Sequence, residues 1–301
     1  MEFKDTEVKD VCGFLTWLKQ TRNIETKEKE ADGSTQELTF ECERRYYRGQ
    51  ARSDWQLEPG IFRDRAYVAK EHDLLVKASL RLAQEVYSLK GFLEEMVYFQ
   101  HYGLRTRLLD VTFNPLIALY MACCEEFKNE QKKSESETYS LNDPSNGAVY
   151  FGTQIEENDY KIAELTAKYV FENQYQCEPV NFNEFVQQNK VDGRVFEHAL
   201  FIEPPINNKR LESQNGAFIM APLIDSVNGK AVKMNNCKID EEAFFDDRRA
   251  IIRDCNKENI LKELSTLGID GGSIYKDAQE KLKTINKEIQ WEANQNINFF
   301  C

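Results

Sequence analysis

His101-Tyr102-Gly103-Leu104-Arg105-Thr106-Arg107-Leu108-Leu109-Asp110-Val111-Thr112-Phe113-Asn114-Pro115 organises the reading of the whole 301-residue chain. It opens as a polar loop with one histidine and two arginines, then crosses the apolar pair Leu108-Leu109. Asp110 and Thr112 follow, two apart, and would share one side of an extended strand. Asn114 is a good helix N-cap, and Pro115 suits the first helical position, where its missing N–H has no helical partner. The residues Leu116-Ile117-Ala118-Leu119-Tyr120-Met121-Ala122-Cys123-Cys124 are apolar on every side, so this helix is expected to be buried. Charged groups at the mouth of such a helix are costly unless they are paired or bind something.

Working outward, the segment Thr6 to Lys19 has helical spacing of apolar residues, and Leu38 to Cys42 and Arg45 to Gly49 alternate like strands. A long helix is predicted from Tyr67 to Leu89 and another from Phe92 to Gln100. The polar stretch 125–146 reads as a surface insertion. Short strands at 147–152, 199–202, 216–220 and 250–252 alternate irregularly with helices at 162–171, 182–188, 207–213, 257–267 and 274–291. This pattern predicts an α+β fold, with short mixed strands and surrounding helices, rather than a doubly wound parallel sheet. A single domain over 1–301 is expected, with an N-terminal helix, a polar insertion and a helical C-terminal segment.

Composition narrows the function classes. The chain is 41% apolar and 30% charged, with a net charge of −12, which argues against broad binding to nucleic acid or to a membrane surface. No run is long enough to span a bilayer, and the first residues do not read as a signal peptide. The eight cysteines show no metal-ligand spacing, which fits a reducing cytoplasm, and no metal is expected. P-loop, G-x-G-x-x-G and G-x-S-x-G motifs are absent. Against this acidic background Arg44, Arg45, Arg48 and Arg52 crowd one short motif, and Arg105 and Arg107 sit in another. Guanidinium groups favour carboxylate and phosphate, so an anionic ligand is expected. The bland alternative makes Arg48 and Arg107 internal ties. Arg48, His101 and Arg107 are expected to meet in one concave site.

The stretch from His101 to Ala122 resembles the central signature of the FRG domain family, named for an aromatic-Arg-Gly motif. Here that motif is Tyr47-Arg48-Gly49, continued by Gln50 and by Trp55-Gln56-Leu57-Glu58-Pro59. Gln214-Asn215-Gly216-Ala217-Phe218 resembles a later element of the family, and the chain departs from the pattern at Arg105, where proline is expected. The resemblance implies a bacterial protein of phage or mobile-element conflict, either toxin or sensor. The same order of elements is similar to that of NAD-dependent ADP-ribosyltransferases, which implies a related fold and NAD as substrate. On that analogy Tyr47, Arg48, Gly49, Gln50, Arg107, Asp110 and Gln214 would bind the ligand. His101, Thr112 and Glu203 would be catalytic, with Glu203 stabilising the positive charge that develops on the ribose. The acceptor would be protein or nucleic acid, or water in an NAD glycohydrolase. The alternative is a non-catalytic module that senses a nucleotide or a partner. His101 and Asp110 each have an ordinary structural reading, as a packed ring and as an acceptor for loop donors.

Overall fold

The structure is a computed structural model that describes residues 2–21, 26–27, 39–40, 44–63, 65–68, 70–124, 141, 143–153, 160–173, 179–204, 209–227, 230–233 and 239–275. The chain divides into two compact units. The first is Met1–Trp55, Phe113–Gln154 and Phe244–Ser273; the second is Gln56–Thr112, Ile155–Ala243 and Ile274–Cys301. Each mixes helices and strands, so the fold class is α+β.

In the first unit the strands run in the order Lys4–Val8, Arg248–Ile252, Gly147–Thr153, Arg45–Gln50. The first pair is parallel, with Asp5 beside Arg249, and the others are antiparallel, with Arg48 opposite Tyr150. The helix expected from Thr6 instead starts at Val11, because Lys4–Val8 is a strand. Its acids explain the change. Asp5 meets Arg249 at 2.7 Å and Glu7 meets Arg253 at 2.8 Å, ties that favour an extended edge. Asp10 then accepts the Gly13 N–H at 2.6 Å, and the helix buries Val11, Phe14, Trp17 and Thr21.

The helix Pro115–Cys123 is capped by Asn114, whose side chain accepts from Leu116 N at 3.0 Å. Ile117, Ala118, Leu119, Tyr120, Ala122 and Cys123 are buried, whereas Leu116, expected in the core, is only half-buried. This helix packs on the strands Arg45–Gln50 and Gly147–Thr153. Two glycines allow the approach. A Cβ on Gly49 would overlap the Ala118 carbonyl, and one on Gly147 would overlap that of Ala122. Burial also pushes the Cys123 thiol pKa up, leaving a neutral group in the interior. Gly49→Ala is therefore expected to cost about 1–3 kcal/mol or more, since the obstruction is backbone that cannot rotate away. A thermal melt checks this, and an unchanged Tm would mean that strand and helix have slack.

The second unit holds the strands Leu108–Thr112, Gly216–Met220 and Leu200–Ile202, all antiparallel, with Asp110 opposite Phe218 and Phe201 opposite Ile219. The single helix expected over Tyr67–Leu89 is three pieces, Arg65–Val68, Glu71–Arg81 and Ala83–Val86. Lys70 (φ −120, ψ 14) and Leu82 (φ −113, ψ 30) leave helical geometry. The first break lets Glu71 open a new helix with its carboxylate turned into the core.

Around it, Leu75, Leu93, Met96, Phe99, Tyr169 and Phe182 form an apolar cluster. Its rings meet edge to face, Tyr169 to Phe185 at 4.9 Å and Phe182 to Phe196 at 5.6 Å. The helix Phe92–His101 has no cap of its own at Gly91. Glu164 of the helix Tyr160–Glu172 supplies one, accepting the Phe92 and Leu93 N–H groups, each at 2.9 Å. The strand expected at Leu38–Cys42 is described only at Thr39–Phe40, paired with Thr26–Lys27. Most of the insertion expected at 125–146 and most of the helix expected at 274–291 lie outside the described residues.

Candidate functional site

Tyr47, Arg48, Gly49 and Gln50 belong to the first unit; His101, Arg107, Asp110, Thr112, Glu203 and Gln214 belong to the second.

On the strand Arg45–Gln50, side chains alternate between faces. Gly49 faces the helix Pro115–Cys123, and Tyr47, 9% exposed, shares its side. The glycine makes room for the helix. Arg48 and Gln50 take the opposite face. Arg48 Nε donates to Gln50 Oε1 at 3.2 Å, and Gln50 Nε2 donates to the Trp55 carbonyl at 3.0 Å. Gln50 is buried, and it also hydrogen-bonds the Tyr150 side chain. Tyr150, opposite Arg48 in the ladder, accepts from Arg249 Nη1 at 2.9 Å. Burial pushes the Tyr150 phenol pKa up, partly offset by Arg249, Gln50 and Arg48. The outcome is a half-buried guanidinium oriented by a rigid polar network. Tyr150 and Arg249 were missed in the sequence, because their pairing with Arg48 and Asp5 depends on strand register.

In the second unit Arg107 corrects an expectation. It is 1% exposed and held by Glu71, with Nε at 2.9 Å and Nη2 at 2.6 Å, while Nη1 donates to the Pro222 carbonyl at 2.9 Å. Such a sealed bidentate pair is an internal tie and does not offer its charge to a ligand. Its carboxylate partner is Glu71. His101 ends the helix Phe92–His101, is 5% exposed and meets the Phe218 ring at 5.7 Å.

Asp110 is half-buried and accepts from Gln100 Nε2 at 3.0 Å. Gln100 is itself fixed, since its Oε1 accepts from Thr106 Oγ1 at 2.8 Å. Thr112, 2% exposed, donates its hydroxyl to the Gln214 carbonyl at 2.6 Å, and so it holds a main-chain corner. There Asn215 takes a left-handed φ of 45° and ends the helix Lys209–Gln214 before the strand at Gly216. Glu203 lies just beyond the strand Leu200–Ile202, half-buried.

No group of three or more His, Cys, Asp or Glu residues suited to a metal occurs among the described residues. Among them, no helix is long and apolar enough to cross a membrane.

Neither a search of curated proteins nor one of solved structures gave a match. A family model does match residues 43–131, which include Tyr47-Arg48-Gly49, the loop from His101 and the buried helix. Residues 43–131 of this chain are an FRG domain.

Proposed function

We propose that this protein is a nucleotide-binding module that takes an anionic group on Arg48, with NAD the first ligand to test. The supporting observation is the orientation of Arg48 by Gln50, which is anchored in turn to Trp55 and Tyr150. A guanidinium positioned before binding loses little rotamer freedom, and its planar fork matches phosphate or carboxylate. In phage or mobile-element conflict such a module would act as a sensor.

ADP-ribosyl transfer is a second reading, favoured by the order of elements. A strand bears Tyr47-Arg48-Gly49, and the strand ending at Thr112 leads into the helix Pro115–Cys123. In that reading NAD is the substrate, Glu203 stabilises the developing ribose charge, and a protein, nucleic acid or water accepts the ADP-ribose. Thr112 would then act by fixing the main chain at Gln214.

Calorimetry with NAD, ADP-ribose and simple nucleotides tests the binding. Saturable binding is expected for the wild type, with affinity at least about tenfold weaker in Arg48→Ala. Absence of binding at millimolar ligand would overturn the reading. NAD consumption, or ADP-ribose labelling of a host extract, would then separate the enzyme from the sensor.

A further inference from the structure

The loop 51–55 of the first unit follows the Arg48 strand and carries the Trp55 carbonyl that accepts from Gln50. Little of it is packed, since Arg52, Asp54 and Trp55 are exposed. Polar groups grip its main chain instead. Lys257 Nζ donates to the Ala51 carbonyl at 2.8 Å and to that of Ser145 at 2.5 Å, so one ammonium ties two loops. Arg249 Nη1 donates to the Ser53 carbonyl at 3.1 Å. Ser53 N donates to the Asn146 carbonyl at 2.6 Å, and Ser53 Oγ to that of Asp143 at 3.2 Å. Asn146 is tied in turn to the helix that carries Lys257, where its Oδ1 accepts from Asp254 N at 3.2 Å.

Two side chains give this clamp its direction. Lys257 is 5% exposed, and a buried ammonium is costly unless its donors are met. Loop carbonyls meet them, with the Asp254 carboxylate further off at 3.6 Å. Arg249 reaches Asp5 with Nε at 2.7 Å and Nη2 at 3.2 Å, while Nη1 serves the Ser53 carbonyl and, at 2.9 Å, the Tyr150 hydroxyl. A planar fork holds these acceptors together, and a lysine ammonium has no such spread.

The contacts converge on Gln50. Its bond with Tyr150 lowers the phenol pKa, as donation to that oxygen does. Gln50 N–H groups therefore go to the Tyr150 hydroxyl and, at 3.0 Å, to the Trp55 carbonyl, which turns Oε1 to Arg48 Nε at 3.2 Å. We propose that Arg249 and Lys257 are positioning residues of the Arg48 site. They fix loop 51–55 and the Tyr150 hydroxyl, hence the Gln50 amide and the guanidinium it aims. Both lie outside residues 43–131, so the matched stretch takes its binding geometry from the chain beyond it. The effect on ligand rests on the Arg48 reading; the positioning itself does not.

NMR of the full chain reads the positioning through the Arg48 Nε–H resonance, assigned by its loss in Arg48→Lys. Its exchange with water should be slow in the wild type. Arg249→Lys and Lys257→Met should each speed that exchange about fivefold, while amides of the strands Gly147–Thr153 and Arg248–Ile252 stay protected. A role confined to stability would move both together and overturn the proposal. Tyr150→Phe, which removes only the hydroxyl, should act like Arg249→Lys and decides the matter if Lys257→Met does not fold. Fast exchange in the wild type, or unchanged exchange in Arg249→Lys and Tyr150→Phe, also overturns it. Calorimetry with NAD on the same variants should show affinity weakened about fivefold. Exchange that changes as expected in a protein that binds no NAD supports the positioning and overturns the Arg48 ligand reading alone.

Discussion

Arg107→Ala is expected to remove about 3–5 kcal/mol of folding stability, a large part of what a typical domain possesses. The substitution leaves the Glu71 carboxylate, 1% exposed, without its two guanidinium donors, and it strips the Pro222 carbonyl of one. An uncompensated charge in the interior costs more than the pair itself contributes. Two comparisons isolate the cause. Glu71→Ala should be comparably damaging, whereas Arg107→Met combined with Glu71→Leu should recover most of the loss, because both charges are then gone. Urea unfolding, with the midpoint read at constant m, measures each step. A wild-type midpoint for Arg107→Ala would show that the pair is not a structural tie.

Leu119→Ala should cost about 2–5 kcal/mol, because Leu119 is fully buried in the helix Pro115–Cys123 and its truncation leaves a cavity. Arg48→Ala should cost less than about 1 kcal/mol, since Arg48 is half-buried and its bond to Gln50 goes to a neutral amide oxygen. Stability and function should therefore separate. Leu119→Ala lowers the melting temperature, and Arg48→Ala abolishes ligand binding at nearly unchanged Tm. If Arg48→Ala melts as early as Leu119→Ala, Arg48 is a structural tie and loses its proposed role. Thr112→Ala lies between them, at about 1 kcal/mol, through the lost bond to the Gln214 carbonyl.

Local chemistry explains which parts of the fold were legible. The start of the buried helix could be read from Asn114 and Pro115, because capping is decided within a few residues. The strands at Arg45–Gln50 and Gly216–Met220 were also legible, as short runs bounded by turn or helix-ending residues. Thr6 to Val8 was misread, because its strand is fixed by Arg249 and Arg253 from the far end of the chain. Tyr67–Leu89 was misread as one helix, since nothing near Lys70 announces that Glu71 is needed by Arg107. The residue types for binding were visible as arginine-rich motifs. Their roles were not, because burial divides Arg107 from Arg48, and burial arises from tertiary contacts.

Glu164 capping the helix Phe92–His101 has a kinetic consequence. The carboxylate lies 72 residues from Phe92, so the first turn of that helix gains its acceptor only after a long loop has closed. A helix of 10 residues is marginal in isolation, where nucleation is costly. Its persistence therefore follows the docking of Tyr160–Glu172 and does not precede it. The segment that delivers Gln100 to Asp110 consequently assembles on the timescale of tertiary contact formation, far slower than helix–coil relaxation.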